Sequence, residues 1–229
     1  MTHRFDHDRP DPAASMLPSA LGPLAHLAQP MQGAMSANAP YQRYREMTID
    51  EMLLENRVIF LVGEINHASA TGVIMRLLHL QNQKTGVDVN LYINSPGGSV
   101  DDTLAIYDTM QFLDCQVATY CIGRAMSGGA IILAAGAKGK RYMLPHAKVM
   151  IHQPYGGVYG QTSDVHIQAE ENLRSKRQIH QLLDNHPGKP VEDIAPDSER
   201  DRYFSAKDAK AYGIVDDVIE RAVEAEKKD

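Results

Sequence analysis

The sequence has few cysteines, no excess of basic residues and no long uninterrupted apolar run, and each shortage excludes a class of protein. Two cysteines among 229 residues, Cys115 and Cys121, are too few for a disulfide framework and lack the spacing of a metal site, so buried reduced thiols are expected. Twenty-three basic against 29 acidic residues give a net charge of −6, which argues against binding nucleic acid through its phosphates. No window approaches the roughly 18 consecutive apolar residues of a membrane-spanning helix.

Charge is also missing from the N-terminal region. No Lys, Arg, Asp or Glu occurs from Pro12 to Gln42, and six of the twelve prolines lie in residues 1–40. Prolines remove backbone donors and the stretch has few bulky side chains to bury, so its composition predicts a disordered leader. The residues before it are a poor positively charged n-region, which leaves a weak organellar or secretory signal as the alternative. We therefore expect a tail or a removable leader at 1–40 and one folded domain at 41–229.

The folded part alternates between short apolar runs, typical of buried strands, and apolar residues at helical spacing. The runs predict strands at 57–63, 87–93, 116–122, 148–151 and 213–216. The helical spacing predicts helices at 67–81, 100–113, 127–137, 162–185 and 206–211. This alternation predicts an α/β domain with a mainly parallel sheet and helical crossovers.

Three residues in this pattern are candidates for chemistry. Ser127 follows a strand and begins a small-residue helix, His152 ends an apolar strand, and Asp201 lies in a charged run. Each also has an ordinary explanation, because small residues pack helices, lone histidines are commonly structural and charged loops are commonly solvated. Together they supply a serine nucleophile, an imidazole base and a carboxylate that fixes the imidazole tautomer.

A glycine turn adds a fourth candidate element. The turn Asn94-Ser-Pro-Gly97-Gly98 follows a predicted strand, and glycine there lets a backbone N–H face a bound carbonyl. A second N–H, from Gly128, would complete an oxyanion hole, in which each donor contributes about 3 kcal/mol to acyl transfer. The residues alone do not establish that these segments meet in space.

Several longer stretches extend this set of motifs. They are Tyr92-Ile-Asn-Ser-Pro-Gly-Gly-Ser99, Ala105-Ile-Tyr-Asp-Thr-Met-Gln111, Leu133-Ala-Ala-Gly-Ala-Lys-Gly-Lys-Arg141, Met150-Ile-His-Gln-Pro154, Glu199-Arg-Asp201 and Tyr212-Gly-Ile-Val-Asp216. The distance from Ser127 to His152 is 25 residues, and from His152 to Asp201 it is 49. In order and spacing, over about residues 41–222, the sequence resembles the ClpP family, the serine peptidase subunits of Clp proteases.

The resemblance implies a fold, an activity and the roles of five residues. The fold is the crotonase-like ClpP fold, with repeated β-β-α units and a protruding handle helix. The activity is a serine endopeptidase that hydrolyses unfolded polypeptides to short peptides without a cofactor or metal. Ser127 would be the nucleophile, His152 the base and Asp201 the residue that orients it. The N–H groups of Gly98 and Gly128 would bind the oxyanion.

The resemblance also implies partners. Two stacked heptameric rings of this chain would enclose a chamber, which a Clp-family AAA+ ATPase feeds. The residues that match the contact between rings are Glu199, Arg200 and Gln161. The residues that match the apolar pocket receiving the ATPase loops are Tyr92, Phe112, Tyr142 and Ile219. Without the resemblance these would be solvated charges and core or subunit-interface residues. No Gly-x-x-x-x-Gly-Lys-Ser/Thr motif occurs, so ATP use would come from a partner chain.

The sequence departs from the family around the nucleophile. The usual Ala-Ser-Met-Gly is here Met126-Ser127-Gly128-Gly129, which retains the N–H of residue 128 but removes a side chain beside the acyl pocket. The added freedom of glycine costs roughly 1 kcal/mol of local order. This departure motivates an alternative function, a weakly active subunit of a mixed ring. Another alternative is a crotonase-fold enzyme acting on acyl-CoA thioesters, against which the serine, histidine and aspartate set argues.

The resemblance sharpens the interpretation of the leader. Family members often carry a short propeptide removed by self-cleavage, and the segment after it forms gating loops at the axial pore. We therefore expect a cut between Ala34 and Glu46 rather than a targeting signal, since termini are common sites of cleavage. The expected location is cytoplasmic.

Overall fold

The computed structural model describes residues 47–154, 156–157, 159–185 and 197–220. Within these residues, seven strands form one sheet that is accompanied by six helices. The strands are β1 Val58–Val62, β2 Val89–Ser95, β3 Val117–Met126, β4 Arg141–Met143, β5 Lys148–Ile151, β6 Arg202–Phe204 and β7 Asp217–Val218. The helices are α1 Ile49–Glu55, α2 His67–Gln83, α3 Val100–Phe112, α4 Gly128–Ala134, α5 Thr162–Asn185 and α6 Ala206–Tyr212. The expected leader lies outside the described residues.

The sheet is mainly parallel, as the alternation of strands and helices predicts. Its order is β1-β2-β3-β4-β7, with every neighbouring pair parallel. The strand β5 pairs in parallel with β3, and β6 pairs antiparallel with β5. The predicted α/β class with the ClpP-type arrangement is confirmed.

The long strand β3 pairs with two different strands along one of its sides. Its first half pairs with β4 through Thr119–Cys121, and its second half pairs with β5 through 124–126. Between the halves lies Gly123, where an added Cβ would stand 2.7 Å from Oδ1 of Asn94. This crowding coincides with a register shift between β2 and β3. One side of β3 therefore changes its partner from β4 to β5, while the other side still pairs with β2 at Ala125 and Ser95.

The helix that follows β3 is completely buried. All seven residues of α4 are buried, and the two glycines at its start allow close approach, Gly128 to α3 and Gly129 to β2. At Gly129, for example, an added Cβ would lie 3.2 Å from the carbonyl oxygen of Ser95. The small-residue helix expected at 127–137 is therefore present but ends three residues earlier.

The predicted strand at 213–216 is wrong. Gly213 is instead the left-handed C-cap of α6, with φ of 94°, and its N–H donates to the carbonyls of Ala209 and Lys210. The next residues, Ile214 and Val215, are buried after this cap, so their apolar character reflects a helix end rather than a strand. The strand itself begins later, at Asp217.

Candidate active site

Ser127 occupies a sharp turn between β3 and α4. Its φ of 53° and ψ of −122° are unusual for a residue with a side chain, and its N–H donates to the carbonyl of Met150 over 2.9 Å. Within the described residues its side chain makes no capping hydrogen bond to α4. A backbone conformation of this kind costs about 1–3 kcal/mol and persists where the surroundings fix it, commonly at functional sites.

Strand register brings the other two candidates to this turn. Met126 pairs with Met150 across β3 and β5, so the residues that follow them, including Ser127 and His152, leave the sheet side by side. Ile151 pairs with Arg202 across β5 and β6, and the same antiparallel register sets His152 opposite Asp201. The triad predicted from three distant segments therefore lies where β3, β5 and β6 meet.

The contact between His152 and Asp201 fixes the imidazole. Nδ1 of His152 lies 3.0 Å from Oδ1 of Asp201, and a carboxylate oxygen only accepts hydrogen bonds. The proton of the neutral ring is therefore on Nδ1, which leaves Nε2 with a lone pair. The His152 side chain is 13% exposed and that of Asp201 is 58% exposed. The ring is thus held largely out of solvent in the tautomer that a general base needs.

The glycine turn after β2 packs directly on this site. At Gly97, with φ of 90°, an added Cβ would lie 2.7 Å from Cβ of Ser127. At Gly98, with φ of 155°, it would lie 2.1 Å from the carbonyl oxygen of Ile65. The adjoining bridge uses the Gly97 carbonyl and the N–H of Ser99 rather than the N–H of Gly98. Only glycine fits both positions.

One pocket of 920 Å³ contains the predicted machinery. Its lining includes Ser127, His152, Asp201, Gly98 and Gly128, so the structure brings all five predicted residues together. Apolar side chains complete its wall, among them Val100, Leu104, Ile131, Ile179 and Leu183. Such a pocket provides a nucleophile, a base and backbone donors beside a surface that suits an apolar side chain of a substrate.

A polar network behind the triad was missed from the sequence. The backbone N–H of Gln153 donates to the carbonyl of Ser198, and the Gln153 side chain links Lys176 of α5 to the Glu199 carbonyl. Nε2 of His180, also on α5, lies 3.0 Å from Oγ of buried Ser198. Burial and then the charge of Lys176 lower the pKa of His180. Isolated polar residues gave no sequence signal for this network.

Two of the residues expected to receive an ATPase lie in an aromatic ladder. Tyr92 and Tyr142 belong to a stack that runs across four paired strands, with ring centroids 4.6–5.4 Å apart. Its other members, Phe60 and Tyr120, were missed although they occupy matching register positions. Phe112 lies at the end of α3 and is 81% exposed. The half-buried Ile219 follows β7 and donates its N–H to the Met143 carbonyl.

The residues expected at the contact between rings lie near the pocket and at the start of α5. Glu199 and Arg200 are exposed and line the pocket mouth beside Asp201. Gln161 is exposed immediately before α5, and its carbonyl accepts the N–H of Val165. The contact itself stays a prediction.

The two cysteines lie apart from the pocket lining. Cys115 and Cys121 are free and buried, as expected, and burial raises the pKa of Cys121 to about 11. Across the described ranges, no group of three or more His, Cys, Asp or Glu side chains is arranged to hold a metal ion. The same residues include no helix of the length and apolarity that crossing a membrane requires.

Two comparisons with known proteins bear on this site. A family model described as Clp protease matches residues 41–222. The chain is also 55% identical over 179 residues to the ATP-dependent Clp protease proteolytic subunit 1 of Rhodopirellula baltica (strain DSM 10527 / NCIMB 13988 / SH1). That alignment covers 78% of this chain and 79% of the relative.

Proposed function

The chain belongs to the Clp protease family, and we propose that Ser127, His152 and Asp201 are its catalytic triad. It is a serine-type peptidase, a hydrolase of peptide bonds with a role in Clp proteolysis. The observation that carries the assignment of residues is the 3.0 Å contact from His152 to Asp201, in a pocket that also contains Ser127. The family match favours peptides over acyl-CoA thioesters as substrates.

The triad acts by two successive acyl transfers. Oγ of Ser127 attacks the scissile carbonyl carbon, while its proton passes to Nε2 of His152 and Asp201 stabilises the resulting imidazolium. The C–N bond breaks as His152 gives that proton to the leaving amine. Water then attacks the acyl-enzyme by the same route, which releases the new carboxyl terminus and restores Ser127.

Two backbone N–H groups stabilise the oxyanion in this proposal. They belong to Gly98 and Gly128, which line the pocket together with Ser127. Each donor is worth about 3 kcal/mol in acyl transfer. Both segments are fixed by contacts that exclude a side chain at these positions, so the donors are set before substrate binds.

We further propose a domain of residues 41–229, preceded by a removable leader, that assembles in the cytoplasm as two stacked heptameric rings. The rings would meet through Gln161, Glu199 and Arg200. The relative's name includes the words ATP-dependent, and the sequence of this chain contains no P-loop motif. An AAA+ partner would therefore supply ATP hydrolysis and feed unfolded polypeptides into the chamber. It would dock at the pocket of Tyr92, Phe112, Tyr142 and Ile219.

The test combines labelling with turnover. The purified chain should cleave a fluorogenic peptide and react with a fluorophosphonate, and Ser127→Ala should lose both by at least about 10³-fold. Ser163→Ala, at an exposed serine near the start of α5, is the matched control and should keep both. Normal turnover by Ser127→Ala would refute the assignment. Native mass distinguishes the mixed-ring alternative, because an active tetradecamer of this chain alone excludes it.

A further inference from the structure

The residue after the nucleophile has no room for a side chain, and one threonine is the reason. At Gly128 an added Cβ would lie 2.3 Å from Oγ1 of Thr103, 3.2 Å from its Cγ2 and 3.3 Å from Cδ1 of Ile65. Thr103 belongs to α3, is 2% exposed and lines the same pocket as Gly128. The threonine thus packs directly on the peptide unit whose N–H is the proposed oxyanion donor.

Thr103 is itself firmly held. Its Oγ1 donates to the carbonyl of Ser99 over 2.7 Å, and its backbone N–H donates to the same carbonyl over 3.0 Å. A β-branched side chain in a helix has one or two accessible rotamers, so Oγ1 does not swing aside without losing this bond. An alanine at position 128 would therefore displace α4 or break the Thr103 hydrogen bond.

The same threonine is connected to the second proposed donor. Ser99, which accepts both Thr103 hydrogen bonds, donates its own N–H to the carbonyl of Ile65 over 2.9 Å. That carbonyl is the atom against which Gly98 packs, at the distance that excludes a Cβ. Thr103 is thus in contact with the Gly128 peptide and one hydrogen-bonded residue away from the Gly98 turn.

We propose that Thr103 is a positioning residue for the oxyanion hole and that Thr103 and Gly128 are a size-matched pair. This inference rests on the proposed peptidase function and deepens it. A glycine at position 128 leaves the backbone of that residue freer than a residue with a side chain would. Thr103 limits this freedom, because it fills the space that the side chain would occupy. The N–H of residue 128 is thereby held where the oxyanion forms, although the residue after the nucleophile is glycine.

The experiment is a double-mutant cycle on the full chain, read as kcat and KM with a fluorogenic peptide. Gly128→Ala should lower kcat by about 10²-fold, the cost of displacing one oxyanion donor. Thr103→Ala should lower kcat about fivefold with KM nearly unchanged. Thr103→Val keeps both branches of the side chain and should lower kcat markedly less. The double variant should have a kcat at least about tenfold higher than that of Gly128→Ala alone, because Thr103→Ala removes both threonine atoms that clash with the new side chain.

A threonine on the same helix provides the matched control. Oγ1 of Thr109 donates to the carbonyl of Ala105 over 2.7 Å, the same bond that Thr103 makes, but Thr109 lies outside the pocket lining. Thr109→Ala should leave kcat unchanged, which separates positioning from loss of helix stability.

Equal kcat in Thr103→Ala and Thr109→Ala, or effects that multiply in the double variant, would overturn the inference. If Gly128→Ala does not assemble, the comparison of Thr103→Ala, Thr103→Val and Thr109→Ala decides it. An inactive wild type that does not label would instead refute the proposed function.

Discussion

Two side-chain-bearing residues in the described ranges have positive φ, and they differ in what the conformation achieves. Arg57, at 60°, uses its guanidinium to donate to the carbonyls of Leu80, Val87 and Asp88, so its geometry serves the fold. Ser127, at 53°, makes no comparable side-chain bond within the described residues, and its turn is fixed from outside by Gly97 and by the Met150 carbonyl. A strained backbone conformation that brings no stabilising side-chain hydrogen bond is typical of a residue with a catalytic role.

His180 makes stability depend on pH. Burial and the charge of Lys176 lower the pKa of His180, so the folded protein binds its proton more weakly than the unfolded chain does. The contribution of His180 to the free energy of unfolding is therefore complete above the pKa of the unfolded histidine, about 6.5. It is lost as the pH falls from there towards the lower pKa of the folded protein. We expect the stability of the wild type to fall by up to about 1.4 kcal/mol per pH unit in this window because of this group.

Thermal unfolding between pH 8 and pH 5 checks this contribution. His180→Gln should unfold at a melting temperature that depends less on pH than that of the wild type over this range. His166→Gln changes an exposed histidine on the same helix, so its pH dependence should follow that of the wild type. Parallel curves for His180→Gln and wild type would contradict the expectation. The network from His180 through Ser198 to Gln153 also connects this titration to the strand end that carries His152.

At the level of elements, the sequence predicts what depends on local pattern and misses what depends on pairing. The helix α5 has the predicted bounds, 162–185, because its charged and apolar residues keep helical spacing throughout. The strand β3 runs four residues beyond its predicted end at Ile122. The segment Gly123-Arg-Ala-Met126 does not alternate, and it is extended because it pairs with β5 and, at Ala125, with Ser95 of β2. The candidate triad followed from motif order, whereas its assembly depends on two strand registers that no single segment encodes.

An ion pair between buried Arg141 and half-buried Asp216 lies at the end of the sheet. Burial alone would raise the pKa of Asp216, but hydrogen bonds from Arg141 and from the N–H of Gly139 outweigh burial and lower it. The Arg141 side chain is buried, and its Nε and Nη2 lie 2.9 and 2.6 Å from the carboxylate. We expect Asp216→Asn to destabilise the protein by about 3 kcal/mol, since it leaves a buried guanidinium without its partner charge.

The neighbouring aspartate is the control for this prediction. Asp217 is exposed and pairs with the exposed Lys210, so Asp217→Asn should leave the melting temperature nearly unchanged. Asp216→Asn should lower it by roughly 6–12 °C at pH 7. The difference from wild type should shrink as pH falls below about 3.9, where the unfolded carboxyl takes up a proton and the stabilising term is lost. Equal melting temperatures for the two variants at pH 7 would show that the pair contributes nothing.

At the scale of the whole molecule, the described part of the chain leaves several large apolar side chains exposed to solvent. Large apolar side chains are exposed on three separate helices, α1, α2 and α5, and these include Ile49, Met52, Met75, Ile167 and Leu173. Ile49 and Met52 lie one turn apart on α1, and neighbouring exposed apolar side chains of this kind are typical of an interaction surface. It supports the proposal that the chain works as one subunit of a closed assembly, in which the pocket opens to a chamber rather than to bulk solvent.

The uncharged N-terminal stretch provides the last prediction, because its removal would depend on the catalytic site proposed above. If the leader is a propeptide cut by the peptidase itself, the purified wild type should begin between Ala34 and Glu46, whereas Ser127→Ala should keep residues 1–40. Intact mass and N-terminal sequencing of the two proteins measure this directly. Adding a small amount of active wild type to Ser127→Ala tests whether cleavage occurs between subunits, and the leader should then disappear with time. A leader that persists in fully active wild type would contradict self-processing, and a leader lost equally from Ser127→Ala would assign the cut to another protease.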